Sequence, residues 1–254
     1  MFDTHAHLNF KDFDQDRDHL ITKAREKNLK IINVGTSYKE SVKVVEIAEK
    51  HPTNTYATVG LHPLYLQEEW FEEDKYLALA ESKQVVAIGE TGLDYKYIEK
   101  DEALQRQQKR VFREHLALAK KTNLPVVIHC RRAHEEMISF LKKTDDYGGK
   151  GVLHSFTGKK RDVKEYLDLG LFLGINGIIF KMDIDKALRE IPLERMLLET
   201  DCPFLSPVEG VKRNEPMLVE KVAERVSEVK GVSKEEVLRV TTENAENLFL
   251  KKLK

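Results

Sequence analysis

The sequence predicts an α/β fold, a TIM (β/α)8 barrel whose active site lies at the C-terminal rim of the strands. Eight short apolar runs recur at intervals of about 20 to 40 residues, as βα units require. Charged segments with the apolar spacing of amphipathic helices separate these runs. Six potential metal ligands stand at or just beyond the ends of five runs. A closed parallel sheet brings all such strand ends to one rim.

Eight βα repeats fit a closed barrel better than an open sheet, which rarely needs so many units in one domain. The chain shows no linker, low-complexity tract or internal repeat, so we expect one domain over residues 1–254. The predicted strands are 1–7, 31–35, 55–60, 85–89, 125–129, 151–154, 171–175 and 196–200.

Two of the predicted helices have recognisable starts. Asp101 precedes a charged segment, 101–121, whose apolar positions recur at roughly helical spacing. Ser233 is followed three residues later by Glu236, and this capping-box pattern predicts the start of the last helix.

Composition and charge narrow the class of protein. The 254 residues are 41% hydrophobic and 33% charged, which is ordinary for a globular chain with a sizeable core. No apolar stretch approaches the ~18 residues of a membrane span, and no secretory signal is visible at the N-terminus. The net charge of −1 argues against a large duplex-DNA footprint but not against a local basic rim. We expect a cytoplasmic monomer with no membrane association and no obligate protein partner.

The two cysteines, Cys130 and Cys202, each lie beside a proposed metal ligand. Neighbouring residues of a strand point to opposite faces, so a cysteine next to an inward ligand faces the helices. We therefore expect packing rather than thiolate chemistry at both positions. Two cysteines give no disulfide framework, which fits a reducing cytoplasm.

The first two candidate ligands, His5 and His7, belong to one predicted strand. The side-chain period of a strand is two, so both imidazoles point the same way and can bind one divalent ion. Asp3 shares that face deeper in the barrel, where we expect a structural role.

Glu90 follows the fourth predicted strand in a segment whose glycines permit a sharp turn. A carboxylate has two oxygens and can bridge two cations. Some barrel hydrolases use a carbamylated lysine for this purpose, but no lysine stands at a comparable place in a predicted strand here. Glu90 is therefore the candidate bridge.

The remaining ligands end later strands. His129 and His154 close successive strands, which lie about 4.8 Å apart in a sheet, so both can reach one ion. Glu199 and Asp201 share a face by the period-two rule. We assign Asp201 to the metal and Glu199 to the orientation of a ligand histidine.

We therefore expect two divalent ions, each being Zn²⁺, Mn²⁺ or Mg²⁺, since mixed imidazole and carboxylate ligands suit all three to different degrees. Such a pair activates a water and clamps the oxygens of a phosphoryl group. One ion is assigned to His5, His7 and Asp201 and the other to His129 and His154, with Glu90 between them.

Seven short motifs are spread in order over essentially the whole chain: DTHAHL (3–8), VGLHP (59–63), GETGLDY (89–95), PVVIHCR (125–131), HSFTG (154–158), LETDCPFL (198–205) and RNEP (213–216). With these motifs the chain resembles the TatD family of metal-dependent deoxyribonucleases. Together the motifs are highly specific, although each alone is not.

The resemblance implies a TIM barrel of the amidohydrolase superfamily that hydrolyses DNA phosphodiester bonds. It implies 3′→5′ exonuclease activity on single-stranded ends, and it carries the metal role onto the same six residues. One departure is Arg132, where the family often has aspartate. That arginine either adds positive charge near the cleft or lies at the start of the outer helix.

The proposed catalytic residues are Asp201, which can accept a proton from the attacking water, and Glu90, which holds the ions. Three further residues are candidates for substrate binding. His62 follows the third strand, and its alternative is packing against Pro63. Arg131 follows a ligand directly and can donate to a phosphate. Arg213 lies after the last strand, where barrels often bind anions, although a structural clasp with a carboxylate is the alternative.

Further aromatic residues lie near the predicted rim, and further histidines lie in the predicted helices. Aromatic residues near the rim can stack on unpaired bases or pack in the core: Tyr95, Tyr97, Phe156 and Phe204. Histidines within helical segments are expected at the surface or in packing: His19, His51, His115 and His134.

Two rival functions remain open at this level. The same superfamily hydrolyses esters and amides, so a D-aminoacyl-tRNA deacylase is the alternative enzyme, and fold alone does not exclude it. A nucleic-acid or protein scaffold with a vestigial site is the non-enzymatic alternative. The intact set of six ligands argues against the scaffold.

Overall fold

A computed structural model describes residues 1–144 and 147–251. Within them, eight strands form one parallel sheet in the order of the chain, β1 to β8. The strands are β1 (Phe2–Ala6), β2 (Lys30–Val34), β3 (Thr55–Val59), β4 (Val85–Asp94), β5 (Val126–Arg131), β6 (Gly151–Leu153), β7 (Phe172–Ile175) and β8 (Met196–Leu198).

Helices alternate with the strands and cover the outside of the sheet. They are α1 (Arg17–Glu26), α2 (Tyr38–Lys50), α3 (Glu73–Leu79), α4 (Glu102–Thr122), α5 (His134–Lys142), α6 (Lys160–Asp168), α7 (Asp185–Glu190), α8 (Val219–Lys230) and α9 (Lys234–Ala245). The predicted TIM barrel is confirmed by this alternation of eight parallel strands and helices.

The barrel closes where β1 meets the segment after β8. Ala6 forms a parallel bridge with Cys202, and the Thr4 hydroxyl donates to the carbonyl of Leu198 at 3.0 Å. The carboxylate of Asp3 accepts from the Thr200 amide at 2.9 Å and from its hydroxyl at 2.6 Å. Asp3 thus links the first strand to the last, in keeping with the structural role expected of it.

The interior of the barrel and the layer under the helices are separate cores. The inner core contains Val127 of β5 and Leu197 of β8, together with Phe249 and Leu250 from the end of the chain. The outer core contains Ile128 and both cysteines, among others. Alternation along β5 therefore points Val127 and His129 inward, toward the axis of the barrel.

The cysteines behave as predicted. Cys130 and Cys202 are free and buried, and they pack with the side chains between sheet and helices. Burial raises the pKa of the Cys130 thiol to about 12, so it stays protonated at neutral pH.

The predicted helix starts are found with one change. The Asp101 side chain accepts from the Leu104 amide at the start of α4. The Ser233 hydroxyl accepts from the Glu236 amide at the start of α9. The Glu236 carboxylate pairs with Arg239, so the second half of the predicted capping box is replaced by a surface ion pair.

Within the described residues, no helix combines the length and apolar character needed to cross a membrane.

Candidate metal centre

The six predicted ligand side chains meet at the C-terminal rim, and the Glu90 carboxylate lies at their centre. Glu90 belongs to β4, at a point where the pairing with β5 shifts register between Ile88 and Thr91. Such irregularities re-aim side chains beside active sites. The Glu90 side chain is 4% exposed, so its charge is held away from solvent and in reach of the neighbouring histidines.

One oxygen of Glu90 faces the histidines that β1 supplies. Glu90 Oε2 lies 3.4 Å from His5 Nε2 and 4.0 Å from His7 Nε2. These two nitrogens lie 3.2 Å from each other. Asp201 Oδ1 approaches His5 Nε2 at 3.8 Å and His7 Nε2 at 3.5 Å. Four side chains therefore point donor atoms at one small volume.

The other oxygen of Glu90 faces β5 and β6. Glu90 Oε1 lies 2.9 Å from His129 Nδ1 and 3.8 Å from His154 Nε2. His154 Nε2 is also 3.9 Å from Asp201 Oδ2. Glu90 thus stands between two groups of donors, which is the arrangement that the predicted pair of ions requires. The assignment of these residues as ligands stays a prediction.

Asp201 has a backbone conformation that its neighbours impose. Its φ of 56° is in the left-handed region, which is uncommon for residues other than glycine. The Asp201 amide donates to the carbonyl of His5 at 2.8 Å. The buried Asn214 side chain donates to the carbonyl of Thr200, also at 2.8 Å. Strained backbone of this kind gathers at functional sites, where surrounding contacts hold it.

Three of the four candidate ligand histidines have one ring nitrogen occupied by an outer partner. His7 Nδ1 donates to the carbonyl of Val34 at 3.1 Å. His154 Nδ1 lies 2.9 Å from Glu199 Oε1, an ion-pair contact without hydrogen-bond geometry, and His129 Nε2 lies 3.0 Å from Asp94 Oδ2. In each ring the second nitrogen is thereby turned toward Glu90. Outer partners of this kind fix the tautomer and orientation of metal-binding histidines.

Glu199 occupies the place predicted for it. Its Oε1 accepts from the Ser155 amide at 2.8 Å and from the Asn176 amide group at 3.1 Å. The residue opposite is Gly174, where an added Cβ would stand 2.4 Å from Glu199 Oε2. The glycine therefore leaves the space in which the carboxylate reaches His154.

The position of Asp94 beside His129 is not predicted from the sequence. The fourth predicted strand ends at Gly89, whereas β4 continues to Asp94. Positions 90 and 94 of one strand share a face. A longer predicted strand would have placed both carboxylates beside His129.

His62 lies beside Glu90, at the centre of the site. Its Nε2 is 3.6 Å from Glu90 Oε1, and its ring meets the His129 ring edge-on at 4.3 Å. The Leu64 amide donates to His62 Nδ1 at 3.2 Å, so the neutral ring carries its proton on Nε2. Burial lowers the pKa of His62 to about 3 and keeps the ring neutral. His62 is therefore a hydrogen-bond donor facing the carboxylate.

The two candidate substrate arginines differ in their surroundings. Arg131 is exposed at the end of β5, where its register partner is Asp94. Arg213 is engaged in a clasp: its guanidinium binds both oxygens of Asp16 at 2.9 and 2.6 Å and Glu215 Oε1 at 2.9 Å. This geometry favours the structural alternative for Arg213, and a substrate contact there stays a prediction. Arg132 is exposed and pairs with Glu99.

The candidate aromatic residues divide by exposure. Phe156 and Tyr95 are buried, whereas Tyr97 and Phe204 are 72% and 51% exposed. The helix histidines lie away from Glu90. His115 is fully buried, and its Nε2 accepts from the amide of Leu61, just before His62. His51 pairs with Asp18, His134 contacts Tyr166, and His19 is exposed.

The carboxylates of the site have imidazoles as their charged partners. Among the described residues, no lysine or arginine forms an ion pair with Glu90, Asp201 or Glu199, which pair with histidines alone. Burial by itself lowers the pKa of His154, but the carboxylates of Glu199 and Asp201 outweigh it and raise the pKa to about 10. These two carboxylates therefore favour positive charge at His154.

The donor set fits divalent metal. His7 Nε2 carries a lone pair, because Nδ1 of that ring donates to Val34, and it faces His5 Nε2 at 3.2 Å. His5 Nδ1 is buried and has no hydrogen-bond partner among the described residues. Imidazole nitrogens and carboxylate oxygens gathered within 4.8 Å of one another are ligands of Zn²⁺, Mn²⁺ and Mg²⁺.

Comparisons with known proteins agree with this geometry. A family model described as "TatD related DNase" matches residues 2–250. An "Uncharacterized metal-dependent hydrolase YabD" from Bacillus subtilis is 39% identical, over 98% of this chain and 98% of that protein. A "3'-5' ssDNA/RNA exonuclease TatD" from Erwinia tasmaniensis is 38% identical, over 98% of this chain and 99% of that protein.

Solved structures show the same fold. The crystal structure of YjjV, a TatD homologue from Escherichia coli, superposes with a TM-score of 0.87 at 29% identity, covering 98% of both chains. A TatD family hydrolase from Entamoeba histolytica also gives 0.87 at 25% identity, over 98% of this chain and 97% of that one.

Proposed function

Because the chain belongs to the TatD family of metal-dependent hydrolases, we propose that it cleaves phosphodiester bonds of DNA and removes nucleotides from 3′ ends of single strands. The observation that carries the proposal is the position of Glu90, whose two oxygens face separate groups of imidazole and carboxylate donors. A relative named as a 3′-5′ ssDNA/RNA exonuclease, 38% identical, supports the choice of bond.

We assign two divalent ions to the site. His5, His7 and Asp201 would hold one and His129 and His154 the other, with Glu90 between them. Bound there, the ions supply a water of lowered pKa and neutralise charge on the phosphoryl oxygens. Zinc, manganese and magnesium are the candidate ions.

Asp201 is the candidate to take the proton of the attacking water. Its side chain is 14% exposed, against 4% for Glu90, so it is the more accessible of the two central carboxylates. A general base must lie within hydrogen-bond reach of the proton that it removes. Asp201 sits at the mouth of the site, where a substrate water can reach it.

His62 is the candidate to bind the scissile phosphate. Its Nε2–H faces Glu90 Oε1 at 3.6 Å, and the ring stays neutral in its buried position. A neutral donor can bind a non-bridging oxygen without exchanging its proton. Arg131, exposed beside Asp94, is the second candidate, and its guanidinium adds charge-assisted donors.

We propose that residues 1–254 act as one monomeric hydrolase unit in the cytoplasm. The free, buried thiols of Cys130 and Cys202 support a reducing compartment.

The test is digestion of oligonucleotides labelled at the 5′ end, single- and double-stranded, with Zn²⁺, Mn²⁺ or Mg²⁺. A ladder that shortens from the 3′ end of the single strand is expected. A D-aminoacyl ester in the same buffers tests the rival activity. Hydrolysis of the ester without cleavage of any oligonucleotide would overturn the proposal.

Substitutions of the two central carboxylates test whether the nuclease activity belongs to this site. Glu90→Ala and Asp201→Ala should lose most of the nuclease activity while circular dichroism reports an intact barrel. The surface variant Asp168→Ala, which breaks only an exposed pair with Lys164, should keep full activity. Undiminished cleavage by the two site variants, prepared free of host nucleases, would remove the assignment.

A further inference from the structure

The exposed apolar side chains of this protein are gathered at one end of the barrel. Of the nine large hydrophobic residues exposed within the described chain, eight lie in loops that follow β3, β4, β7 and β8. The ninth, Val232, lies between α8 and α9. Loops that follow strands surround the C-terminal mouth of a barrel. The apolar surface therefore borders the candidate metal centre.

Five of these eight residues belong to the loops after β7 and β8, which we call the β7–β8 rim (residues 176–182 and 203–212). Phe180 is 43% exposed and Phe204 is 51% exposed. The two loops are in tight contact, since a Cβ added to Gly177 would stand 1.8 Å from the carbonyl oxygen of Leu205. The rim is thus one preformed surface and not two independent loops.

Aromatic contacts connect this rim directly to a candidate ligand. The Phe10 ring stacks on the His7 ring with 4.7 Å between centroids and 6° between planes. Phe204 meets His7 edge-on at 6.3 Å and Phe10 edge-on at 6.1 Å. An exposed aromatic face therefore lies one ring away from the donors around Glu90.

Beyond Phe204 the rim opens into a groove of about 600 Å³, lined by Phe180, Val208 and Val211 together with Lys181 and Lys212. Within the described residues, the side-chain ammonium group of neither lysine forms an ion pair or hydrogen bond. Among the described residues that line the groove, Glu209 is the one acidic residue. The groove thus joins apolar contact surface to unpaired positive charge.

We propose that the β7–β8 rim binds the unpaired nucleobases next to the scissile phosphodiester, with one base stacked on Phe204 and the following nucleotides in the groove. The proposal rests on the proposed nuclease function and adds to it the residues that recognise bases. Aromatic platforms beside a basic track are how proteins hold single strands without reading their sequence. In a duplex the base faces are stacked and paired, so they are closed to Phe204.

The experiment measures binding and cleavage separately. A short single-stranded DNA with 2-aminopurine as its 3′-terminal base is titrated into metal-free protein, where stacking on an aromatic ring quenches the fluorescence. Cleavage rates are then measured with metal on the normal oligonucleotide, on one with an abasic 3′-terminal residue, and on bis(4-nitrophenyl) phosphate, which has no base. The proteins are wild type, Phe204→Ala, Phe204→Trp and the control Val232→Ala.

We expect Phe204→Ala to raise the Kd and lower kcat/KM for the normal oligonucleotide by roughly 5- to 150-fold, the range for loss of one base stack. Its rates on the abasic and base-free substrates should match wild type. Phe204→Trp should restore quenching and binding, and Val232→Ala should behave as wild type. Loss of stacking alone predicts this whole pattern.

Two results would overturn the base-binding role. In the first, Phe204→Ala binds and cleaves the normal oligonucleotide with the same Kd and rate as Val232→Ala. In the second, the cleavage rate of Phe204→Ala falls by the same factor on every substrate, which would assign Phe204 to the support of His7. Wild-type protein that binds the oligonucleotide through Phe204 but cleaves no phosphodiester would disprove the nuclease function and leave the base-binding site standing. Absence of both binding and cleavage would disprove both.

Discussion

Asp94 Oδ2 lies 3.0 Å from Nε2 of His129, while Nδ1 of the same ring lies 2.9 Å from Glu90 Oε1. The ring is thereby held between two carboxylates that point it in one direction. Because Asp94 takes the outer nitrogen, the inner nitrogen is left facing Glu90. We therefore propose that Asp94 positions His129 in the half of the site that faces β5.

The variant Asp94→Asn should keep the fold and weaken metal binding by about 10- to 100-fold, the usual effect of removing an outer carboxylate from a ligand histidine. The measurement is a calorimetric titration of metal into chelator-treated protein. Asp168→Asn is the control, because Asp168 pairs with Lys164 on the surface. Equal metal affinities in Asp94→Asn and the control would remove this role.

Gly174 gives a second test of the outer contacts. An alanine there would place its Cβ 2.4 Å from Glu199 Oε2, so the carboxylate must move away from His154, Ser155 and Asn176. We expect Gly174→Ala to destabilise the fold by about 1–3 kcal/mol, as overpacking does, and to weaken metal binding as well. Thermal unfolding and the same titration measure both effects.

The matched control for that variant is Gly148→Ala. A Cβ at Gly148 would have no heavy atom within 4 Å, so stability and metal affinity should stay at wild-type values. If Gly174→Ala loses stability but binds metal as wild type does, Glu199 does not orient His154.

The fold could be predicted because it depends on local periodicity. In β5, Val127 and His129 face the barrel interior while Ile128 and Cys130 face the helices. This alternation can be predicted from adjacent residues of the sequence. The convergence of the six candidate ligands then follows from the geometry of a closed parallel sheet. Neither step requires knowledge of long-range contacts.

The rest of the site depends on features that no local pattern encodes. The glycine at position 89 predicts the end of a strand, yet β4 passes through a shift of register there and continues to Asp94. Arg213 finds its partner in Asp16, 197 residues away. The proton position on His62 is set by the amide of Leu64, a contact that only the folded turn creates. Such contacts form only when distant segments of the chain meet in the fold.

A variant of Arg213 can distinguish a structural role for this residue from a role in substrate binding. Its guanidinium binds Asp16, Glu215 and the carbonyl of Asp12 and lies 5.0 Å from the centre of the Phe13 ring. Arg213→Ala should lower the free energy of unfolding by roughly 1.5–3 kcal/mol, the range for hydrogen bonds to charged groups. The KM for an oligonucleotide should stay close to wild type.

Arg239→Ala is the control for this loss of stability, and its free energy of unfolding should stay close to that of the wild type. Arg239 also contacts two carboxylates, those of Glu236 and Glu243, but it is 55% exposed, and pairs of that kind contribute little. Unchanged stability in Arg213→Ala together with a raised KM would instead assign Arg213 to the substrate.

Metal itself should stabilise the fold, because it binds the assembled site and not the unfolded chain. Added to chelator-treated protein, a divalent ion at about 100 times its Kd should add roughly 2.7 kcal/mol to the free energy of unfolding. The Tm measured against metal concentration gives this value. In Glu90→Gln the gain should fall sharply, because one oxygen of the central carboxylate becomes an amide that ligates poorly. In Asp168→Asn the full gain should remain. A Tm that does not respond to any divalent ion, or that responds equally in Glu90→Gln, would mean that the donors around Glu90 do not hold metal, whatever the family of the chain.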